Sequence, residues 1–399
     1  MGPGRAREGL VVMSRSWSVL AGDIAAIASE WRSNRPDRQA RRGLDPADFE
    51  RLAKVGFLHV AVPEDMGGLW RSVAETTRPI CELLRTLAAA DPSVALVASM
   101  HPSVLGFWLA QPDQTSAAWT EQRTAVFATA AEGKQWGTIT SEPGSGGDIF
   151  RTKAQALPDD GSEGAVPGQT YHVNGSKHFG SGSGVTSFMI TTAVPDGEDA
   201  PTVFVLDVGG RPWDGSSGLR LTAEWDGMGM AATQSHAMQL EGCPAIRFAW
   251  DGPLQEITFA AGPLISSAFT AVILGVLDEA IDTAKAQLKP KADALRPYER
   301  VEWTRAELDH WLAVQAYEGA LHTVESGDPT RSLHATLRAK EAVAELAETS
   351  LGRLGRVIGG GTFSRRSPFA SWFEDVRALG FLRPPWGLAY DNLFLTSFE

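Results

Sequence analysis

The spacing of apolar residues divides the 399-residue chain into a helical part, a β-rich part and a second helical part. From Trp17 to about residue 130, apolar residues recur three and four positions apart, as in DIAAIASEW and DPADFERLAKVGFL, which is typical of amphipathic helices. Asp45 followed by Pro46 is a typical helix start, with Asp as the N-cap and Pro in the first turn. The pattern predicts a helical domain over residues 17–132 behind a flexible tail over residues 1–16.

Short β-branched and aromatic runs between turn residues follow, from about residue 137 to residue 247. The runs are RTKAQAL, QTYHVNG, SFMITTAV, TVFVLDV, LRLTAEWDG and HAMQLEG. Six such runs predict a small β-barrel or sandwich, so we expect a central β-domain over residues 133–250. The stretch TAVFATAAEGKQWGTIT, which precedes them, fits either a helix or a strand.

Long helical patterns return in the last third of the chain and predict a helical domain over residues 251–399. FTAVILGVLDEAIDTAKAQL is largely apolar, whereas VEWTRAELDHWLAVQAYEGALHTVE and LHATLRAKEAVAELAETSLGRLGRVIGGG are amphipathic and run into glycine. The predicted fold class is therefore α+β, with the order helical, β, helical.

Charge and composition exclude several classes of function. The formal net charge of -12 argues against a nucleic-acid partner, which would need basic groups to replace phosphate counterions. Two cysteines, Cys81 and Cys243, supply neither a disulfide framework nor metal-ligand spacing. We see no run of about 18 apolar residues and therefore expect no membrane span and a cytoplasmic protein.

A predicted hairpin joins two stretches rich in Gly and Ser: WGTITSEPGSGGDIF, residues 136–150, and HVNGSKHFGSGSG, residues 172–184. Small residues let a backbone approach a flat or phosphorylated ligand, and its N–H groups then bond the polar edges of that ligand. The first stretch lacks the spacing and the lysine of a P-loop, and no βαβ unit surrounds it as a Rossmann motif requires. The residues leave two interpretations open: a planar heterocycle across the sheet, or a pair of tight turns.

Several motifs resemble those of the acyl-CoA dehydrogenase superfamily. TSEPGSGGD is similar to its T-E-P-G-x-G-S-D signature, and GSKHFGSG to its segment with a lysine and an aromatic residue. LAKVGFLHVAVPEDMGG, WDGMGMAATQSHAMQLEGCPA and RVIGGGTFSRRSPFASWFEDVR resemble three further segments, in the same order. The resemblance implies a helical domain, a small β-barrel and a four-helix bundle, with FAD between barrel and bundle, in a homotetramer or dimer. FMN or free reduced flavin stays open as the cofactor.

The resemblance also implies which residues contact the cofactor. At the isoalloxazine ring these are Thr138, Thr140, Ser141, Phe179 and Ser181, where Phe179 stacks and Ser181 hydrogen-bonds. Gly359 and Gly360 are expected at the dinucleotide part of a neighbouring subunit's flavin, Arg356 stands where the family often has Gln, and Arg296 is a candidate pyrophosphate contact. The alternative for the two arginines is a solvated or ion-paired surface. Hydrogen-bond donors oriented towards the ring would stabilise the negative charge of reduced flavin.

The catalytic base of the family is missing from its usual place, where this chain has Arg383. An arginine stays protonated and cannot act as a general base. Glu256 and Asp391 are candidates for a displaced carboxylate base. The alternative is a surface carboxylate at a helix start for Glu256 and a cap or salt-bridge partner for Asp391. A carboxylate removes an α-proton effectively when burial tunes its pKa.

Three functions stay open, and the resemblance favours the first. This is the family's usual reaction, α,β-dehydrogenation of an acyl thioester such as acyl-CoA by hydride transfer to flavin. The second is a two-component monooxygenase, which takes reduced flavin from a reductase and uses O2 without such a base. MGMAATQSHAM and KHFGSGSG are closer to that branch, and His101 is its candidate active-site histidine, with a core histidine as the alternative. The third is a non-catalytic subunit that pairs with a homologous chain.

Overall fold

The computed structural model describes residues 16–110, 116–159, 166–382 and 384–398, and its first third is helical. The helices are α1 (Trp17–Ser33), α2 (Arg35–Ala40), α3 (Pro46–Lys54), α4 (Val73–Ala88), α5 (Pro92–Leu109) and α6 (Ala117–Ala131). Asp45 caps α3, because its side chain accepts a hydrogen bond from the backbone N of Ala47 at 3.0 Å. Of the predicted tail only Ser16 lies within the described residues, where it caps α1.

The central part forms a small closed barrel. Its strands are β1 (Trp136–Thr138), β2 (Gln155–Pro158), β3 (Thr170–Gly180), β4 (Phe188–Pro195), β5 (Thr202–Asp207), β6 (Leu219–Ala223) and β7 (His236–Arg247). The pairing order β2–β3–β7–β5–β4 closes because β4 also pairs with β2. The strands β1 and β6 extend this barrel beside β4 and β7. The six predicted runs correspond to β2–β7, and the ambiguous stretch supplies most of α6 and then β1.

The last part is a helical bundle. It contains α7 (Leu254–Leu288), α8 (Pro297–Glu325), α9 (Pro329–Ile358), α10 (Pro368–Gly380) and α11 (Trp386–Leu395). The helix α7 packs against α8, α9 and α10 within the bundle and against α4 and α5 of the first part. This architecture confirms the predicted α+β class and the order helical, β, helical.

Two helices, α5 and α7, are long and apolar enough to cross a membrane by length and composition. The expectation that the chain has no apolar segment of membrane-spanning length is therefore wrong. All of the apolar window of α5 and 83% of that of α7 are buried within the protein. Helices that are apolar on all sides are core helices in a folded domain, and this is the role of both here.

An aromatic cluster joins the first helices to the barrel. The ring of Trp108 on α5 lies 5.5 Å from that of Trp136 on β1 and 4.3 Å from that of Phe248 after β7. Trp119 on α6 stacks on Trp108 at 6.1 Å. Large aromatic side chains dominate the energetics of a core. This cluster therefore anchors the start of β1 against α5 and α6.

Candidate functional site

The two glycine-rich stretches lie side by side. The backbone N of His178 donates to the carbonyl of Ser141 at 2.8 Å, so the chain leaving β1 pairs with the end of β3. Thr138 and Thr140 precede Ser141, and their hydroxyl oxygens are 3.4 Å apart. The pairing places Ser141 beside His178 and Phe179, and Thr138 and Thr140 lead up to Ser141 along the first stretch.

A buried ion pair holds the two stretches together. Lys177 of the second stretch is fully buried, and its Nζ pairs with the carboxylate of Glu142 in the first stretch. Nζ also donates to the carbonyl of Thr192 at 2.6 Å, and Glu142 accepts a hydrogen bond from the backbone N of Lys153 at 2.7 Å. Burial raises the pKa of Glu142, but the hydrogen bonds from Lys177, Thr152 and Lys153 bring it below its usual value. Sequence reasoning missed this pair, although opposite charges in the two motifs were a usable signal.

Phe179 presents its ring to the outside from a strained backbone. Its φ is 58°, and 57% of its surface is exposed. A bulky residue in the left-handed region is uncommon, and such strain concentrates at functional sites. The ring meets that of Trp225 edge-on, with centroids 6.0 Å apart and an angle of 79° between the planes. The two rings form an open corner in which a flat ligand can stack on one ring and touch the edge of the other.

Hydroxyl groups line the chain just beyond this corner. The Oγ of Ser181 lies 2.8 Å from the Oγ of Ser235, which is 2.7 Å from Oγ1 of Thr233. The backbone N of Gly182 donates to the carbonyl of Thr233 at 2.8 Å. Residues 228–235, hereafter segment 228–235, therefore pack against the second glycine-rich stretch. Rotatable hydroxyls at this position suit the mixed donors and acceptors along the edge of a planar heterocycle.

The first glycine-rich stretch also lies against the C-terminal segment. Gly147 has a φ of 82°, and a Cβ placed on it would be 2.5 Å from Cγ of Pro385. Glycine is therefore required here by both backbone conformation and close approach. Pro385 precedes α11, and Arg383, at the family's usual base position, lies outside the described residues.

His101 has the contacts of a core histidine, which was the alternative to a catalytic role. It is fully buried on α5, with Nε2 3.0 Å from the carbonyl of Leu58 and Nδ1 accepting from the backbone N of Trp136 at 3.2 Å. These bonds fix the neutral tautomer that carries its proton on Nε2. Burial lowers the pKa of His101 to about 4, so the ring stays neutral. Both nitrogens are used in the core, and the predicted catalytic role gains no support from these contacts.

The two candidate carboxylate bases are exposed. Glu256 lies in the first turn of α7, and Asp391 lies on α11. Neither lies in the dry, apolar pocket in which burial tunes a carboxylate base. Asp375 on α10 is buried instead, and it accepts a hydrogen bond from the backbone N of Met230 at 2.6 Å. Sequence reasoning missed Asp375, although it stands in the quoted segment SWFEDVR.

Relatives of known name cover most of the chain, although no family model matches it. DnmZ of Streptomyces peucetius, an amino sugar nitrososynthase, is 27% identical over 93% of this chain and 89% of that protein. A dibenzothiophene monooxygenase of Mycolicibacterium goodii is 27% identical over 72% of this chain and 67% of that protein. A Bacillus subtilis (strain 168) protein named acyl-CoA dehydrogenase YdbM is 25% identical over 91% and 92%.

Solved structures share the fold from end to end. KijD3 in complex with FMN and a dTDP-linked amino keto sugar superposes with a TM-score of 0.80 at 21% identity, over 98% of this chain and 95% of that chain. FMN-bound TdsC from Paenibacillus sp. A11-2 superposes with a TM-score of 0.77 at 19% identity, over 94% and 96%. These comparisons confirm the resemblance to the acyl-CoA dehydrogenase superfamily that the five motifs of the sequence indicated.

The remaining residues expected from the superfamily resemblance form a second group, at adjacent ends of α8 and α9. Arg296 is the N-cap of α8, and its backbone N donates to Glu299 at 2.7 Å. Arg356, in the last turn of α9, is exposed and lies 3.1 Å from a carboxylate oxygen of Glu302. Gly359 ends α9 with a φ of 94°, and Gly360 follows it. The ion pair of Arg356 with Glu302 is the ion-paired surface contact that the sequence analysis gave as the alternative to a cofactor contact. The cofactor contacts of Arg296, Arg356, Gly359 and Gly360 stay predictions.

A cavity of about 870 Å³ lies at the opposite end of β7 from Ser181. Gly180 pairs with His236 at one end of β7, whereas Arg247, at the other end, lines the cavity. Its walls include Phe248, Trp250 and the first turn of α7. The guanidinium of Arg247 is already paired with both carboxylate oxygens of Glu198. The lining therefore suits an apolar group better than a phosphate. Among the described residues, no cluster of His, Cys, Asp and Glu could hold a metal ion.

Proposed function

We propose that this protein is a flavin-dependent monooxygenase that uses reduced flavin and O2. As a member of its superfamily it is a flavin-dependent oxidoreductase. The observation that carries the choice of reaction is the exposure of both candidate carboxylate bases, Glu256 and Asp391. Removal of an α-proton from an acyl thioester needs a tuned carboxylate, whereas oxygen transfer does not. In the proposed reaction one oxygen atom enters the substrate and the other leaves as water, while reduced flavin gives up two electrons.

The described residues fit a flavin ring. The corner of Phe179 and Trp225 offers one flat face and one edge, and it is open to the outside. Ser141 approaches this corner from the first glycine-rich stretch because it pairs with His178, and Ser181 follows Phe179 in the second. Thr138 and Thr140 precede Ser141 in the first stretch. In this proposal their hydroxyls donate to the polar edge of the ring, where negative charge develops on reduction. The cofactor is a flavin, FMN or FAD, and the FMN complexes of KijD3 and TdsC support FMN.

The proposed substrate is a small organic molecule with an oxidisable nitrogen or sulfur atom. The support is chemical: one relative is named an amino sugar nitrososynthase and another a dibenzothiophene monooxygenase. Such a substrate needs neither a CoA site nor an α-proton base. A flavin reductase is the partner that this reaction implies, because the oxygenase itself receives flavin already reduced.

The proposed assembly is a homo-oligomer, with α8 in the contact between copies. Five large apolar side chains of α8 are exposed and lie within one side of the helix. They form what we call the α8 stripe: Tyr298, Val301, Leu308, Trp311 and Leu312. Contiguous exposed apolar patches mark interaction surfaces. The group of Arg296, Arg356 and Gly359 lies at one end of this stripe, which agrees with the expectation that a second copy completes its contacts.

One experiment separates the candidate reactions. The purified protein is mixed with reduced FMN and then with O2, and flavin reoxidation is followed with and without an amine or a thioether substrate. We expect binding of reduced FMN and substrate-dependent formation of an oxygenated product. Phe179→Ala should raise the dissociation constant of FMN by about 5- to 150-fold, because ring stacking on an aromatic side chain is worth about 1–3 kcal/mol. Phe394→Ala, at a phenylalanine of similar exposure on α11, 66% against 57% for Phe179, is the control.

Dehydrogenation of an acyl thioester is the second candidate, and the YdbM relative supports it. Under this alternative an acyl-CoA reduces the bound oxidised flavin without oxygen, and Glu256→Gln or Asp391→Asn abolishes the reduction. Anaerobic bleaching by acyl-CoA would overturn the monooxygenase proposal. Copurification with a homologous chain that carries the family's glutamate would favour the third possibility, a non-catalytic subunit.

A further inference from the structure

Asp375 is a buried acid that the proposed reaction does not use. It lies on α10, in the helical bundle, and its Oδ1 accepts a hydrogen bond from the backbone N of Met230 at 2.6 Å. Met230 belongs to segment 228–235, which connects β6 to β7 of the barrel. The contact therefore joins the bundle to the barrel at the point where the chain approaches Ser181.

Segment 228–235 is docked closely against α10. A Cβ on Gly229 would lie 2.1 Å from the carbonyl oxygen of Glu374, so only glycine allows this approach. Met230 and Gln234 both have positive φ, 53° and 48°, which ordinary residues rarely adopt. A backbone with this strain needs strong contacts to keep its shape, and Asp375 supplies one of them.

A continuous set of hydrogen bonds leads from Met230 to the cofactor site. The carbonyl of Met230 accepts from Nε1 of Trp225 at 2.9 Å and from Oγ1 of Thr233 at 2.8 Å. Thr233 is bonded to Ser235, and Ser235 to Ser181. Trp225 is the second ring of the corner that contains Phe179. One backbone residue held by Asp375 thus controls both a wall of the corner and the orientation of the Ser181 hydroxyl.

We propose that Asp375 is a positioning residue: through Met230 it holds segment 228–235 against Ser181 and Trp225, and so sets the surface that faces the flavin. The link to flavin rests on the proposed function. The effect on segment 228–235 does not depend on any cofactor.

The surroundings of Asp375 make its charge state sensitive to pH. Burial raises the pKa of Asp375 to about 7, the Met230 hydrogen bond lowers it, and the charges of Asp91 and Glu374 raise it. A cavity of about 70 Å³ separates α10 from α2 and from the start of α5. The charged groups that line this cavity besides Asp375 are Arg38, Arg41, Arg42 and Asp91. Arg38 is bound to Asp48 and Asp91, and Arg41 to Asp48, so these arginines are engaged elsewhere.

The first test measures hydrogen–deuterium exchange in the flavin-free protein. Asp375→Ala should speed exchange in segment 228–235 by about tenfold, because the buried backbone N–H of Met230 loses its acceptor. All variants are compared at pH 5, where Asp375 is protonated, so the loss in Asp375→Ala reflects a buried N–H of Met230 left without an acceptor. Asp375→Asn, which keeps an acceptor for Met230, and Glu374→Gln, the adjacent acid, should exchange at the wild-type rate. Wild-type exchange in Asp375→Ala would overturn the proposal.

The second test follows hydrogen-exchange protection of segment 228–235 against pH. It tests the role of Asp375 even if Asp375→Ala does not fold. The pKa of the docked form is raised from 3.8 to about 7, so the docked form binds the proton more tightly than the opened form does. Protection of segment 228–235 is therefore full below pH 3.8, falls as the pH rises and reaches its low level above about pH 7. From pH 5 to pH 8 we expect a loss of about tenfold or more in the wild type and none in Asp375→Asn. Identical profiles would contradict the proposal.

The third test links the segment to the cofactor. The dissociation constant of FMN should rise about tenfold in Asp375→Ala and stay unchanged in Glu374→Gln. Faster exchange without a change in FMN affinity would overturn the connection to the site. If the wild-type protein binds no FMN, the proposed function fails, and the exchange experiment still decides the role of Asp375.

Discussion

Lys177 and Glu142 form an ion pair that is almost entirely buried. Their side chains are 0% and 5% exposed, and each is bonded to further polar groups, as a buried charge requires. Replacing the pair with apolar residues is often harmless in proteins, whereas removing one partner leaves the other charge unpaired. The pair therefore specifies how the two glycine-rich stretches lie together.

Lys177→Met should lower the free energy of unfolding by about 3–5 kcal/mol, because Glu142 keeps a buried negative charge without its partner. Urea unfolding measures this loss, and the double variant Lys177→Met, Glu142→Gln should recover part of it. Arg220→Met, which breaks the exposed pair of Arg220 with Glu241, is the matched control and should cost less than about 1 kcal/mol. Equal costs for the buried and the exposed pair would contradict this account.

The same ion pair gives a pH dependence of known sign. The pKa of Glu142 is below its usual 4.5 in the folded protein, so its contribution to stability is present above pH 4.5 and is lost as the pH falls below that value. The variant with both partners replaced lacks this acid-sensitive contribution.

At the scale of elements, α7 organises the molecule because it touches both the bundle and the first helices. Its contact with α4 is close at one position, where a Cβ on Gly275 would lie 2.3 Å from the carbonyl oxygen of Arg85. Arg85 itself pairs with Asp278, one turn further along α7. Glycine in the middle of a helix weakens the helix, so its presence here reflects packing and not helix propensity.

Gly275→Ala should destabilise the protein by about 1–3 kcal/mol, because the added methyl group forces α4 and α7 apart. Gly352→Ala on α9 is the control, since a Cβ there meets nothing within 4 Å. That change should stabilise the protein by about 0.5–1 kcal/mol through helix propensity. Thermal unfolding of both variants measures these two changes in stability. A stabilised Gly275→Ala variant would show that α4 and α7 do not pack closely at Gly275.

At the scale of the whole molecule, the α8 stripe is a surface that the single chain leaves uncovered. More than half of the surface of Trp311 and Leu308 is exposed, although α8 runs along the bundle. An isologous contact between two copies would cover the same stripe on both.

Trp311→Glu should convert the proposed oligomer to a smaller species. Burying the unpaired charge of a glutamate in an apolar contact between copies costs too much free energy for the contact to form. Light scattering coupled to gel filtration measures the mass. Leu157→Glu, at a similarly exposed apolar residue on β2, should leave the mass unchanged. A wild-type protein that is monomeric at all concentrations would contradict the proposed assembly.

Individual residues differ in how well the sequence predicted their positions. Ser141 lies beside Phe179 because it pairs with His178, the residue before Phe179, and Ser181 follows the end of β3. His101 was a candidate for catalysis because it lies on an apolar helix, but hydrogen bonds from distant backbone groups use both of its nitrogens. The roles of the cofactor contacts and the domain boundaries at residues 132 and 250 stay predictions.

The sequence by itself determined the α+β class, the order of the helical and β-rich parts and the superfamily, because hydrophobic period and turn residues are local properties. Only the tertiary structure decided which polar groups share a site. Met230 and Asp375 are 145 residues apart in the chain yet hydrogen-bonded, and Glu142 and Lys177 are 35 apart. The physical reason is that burial and hydrogen bonding between distant segments, which set the charge and orientation of a side chain, arise only when the chain is folded.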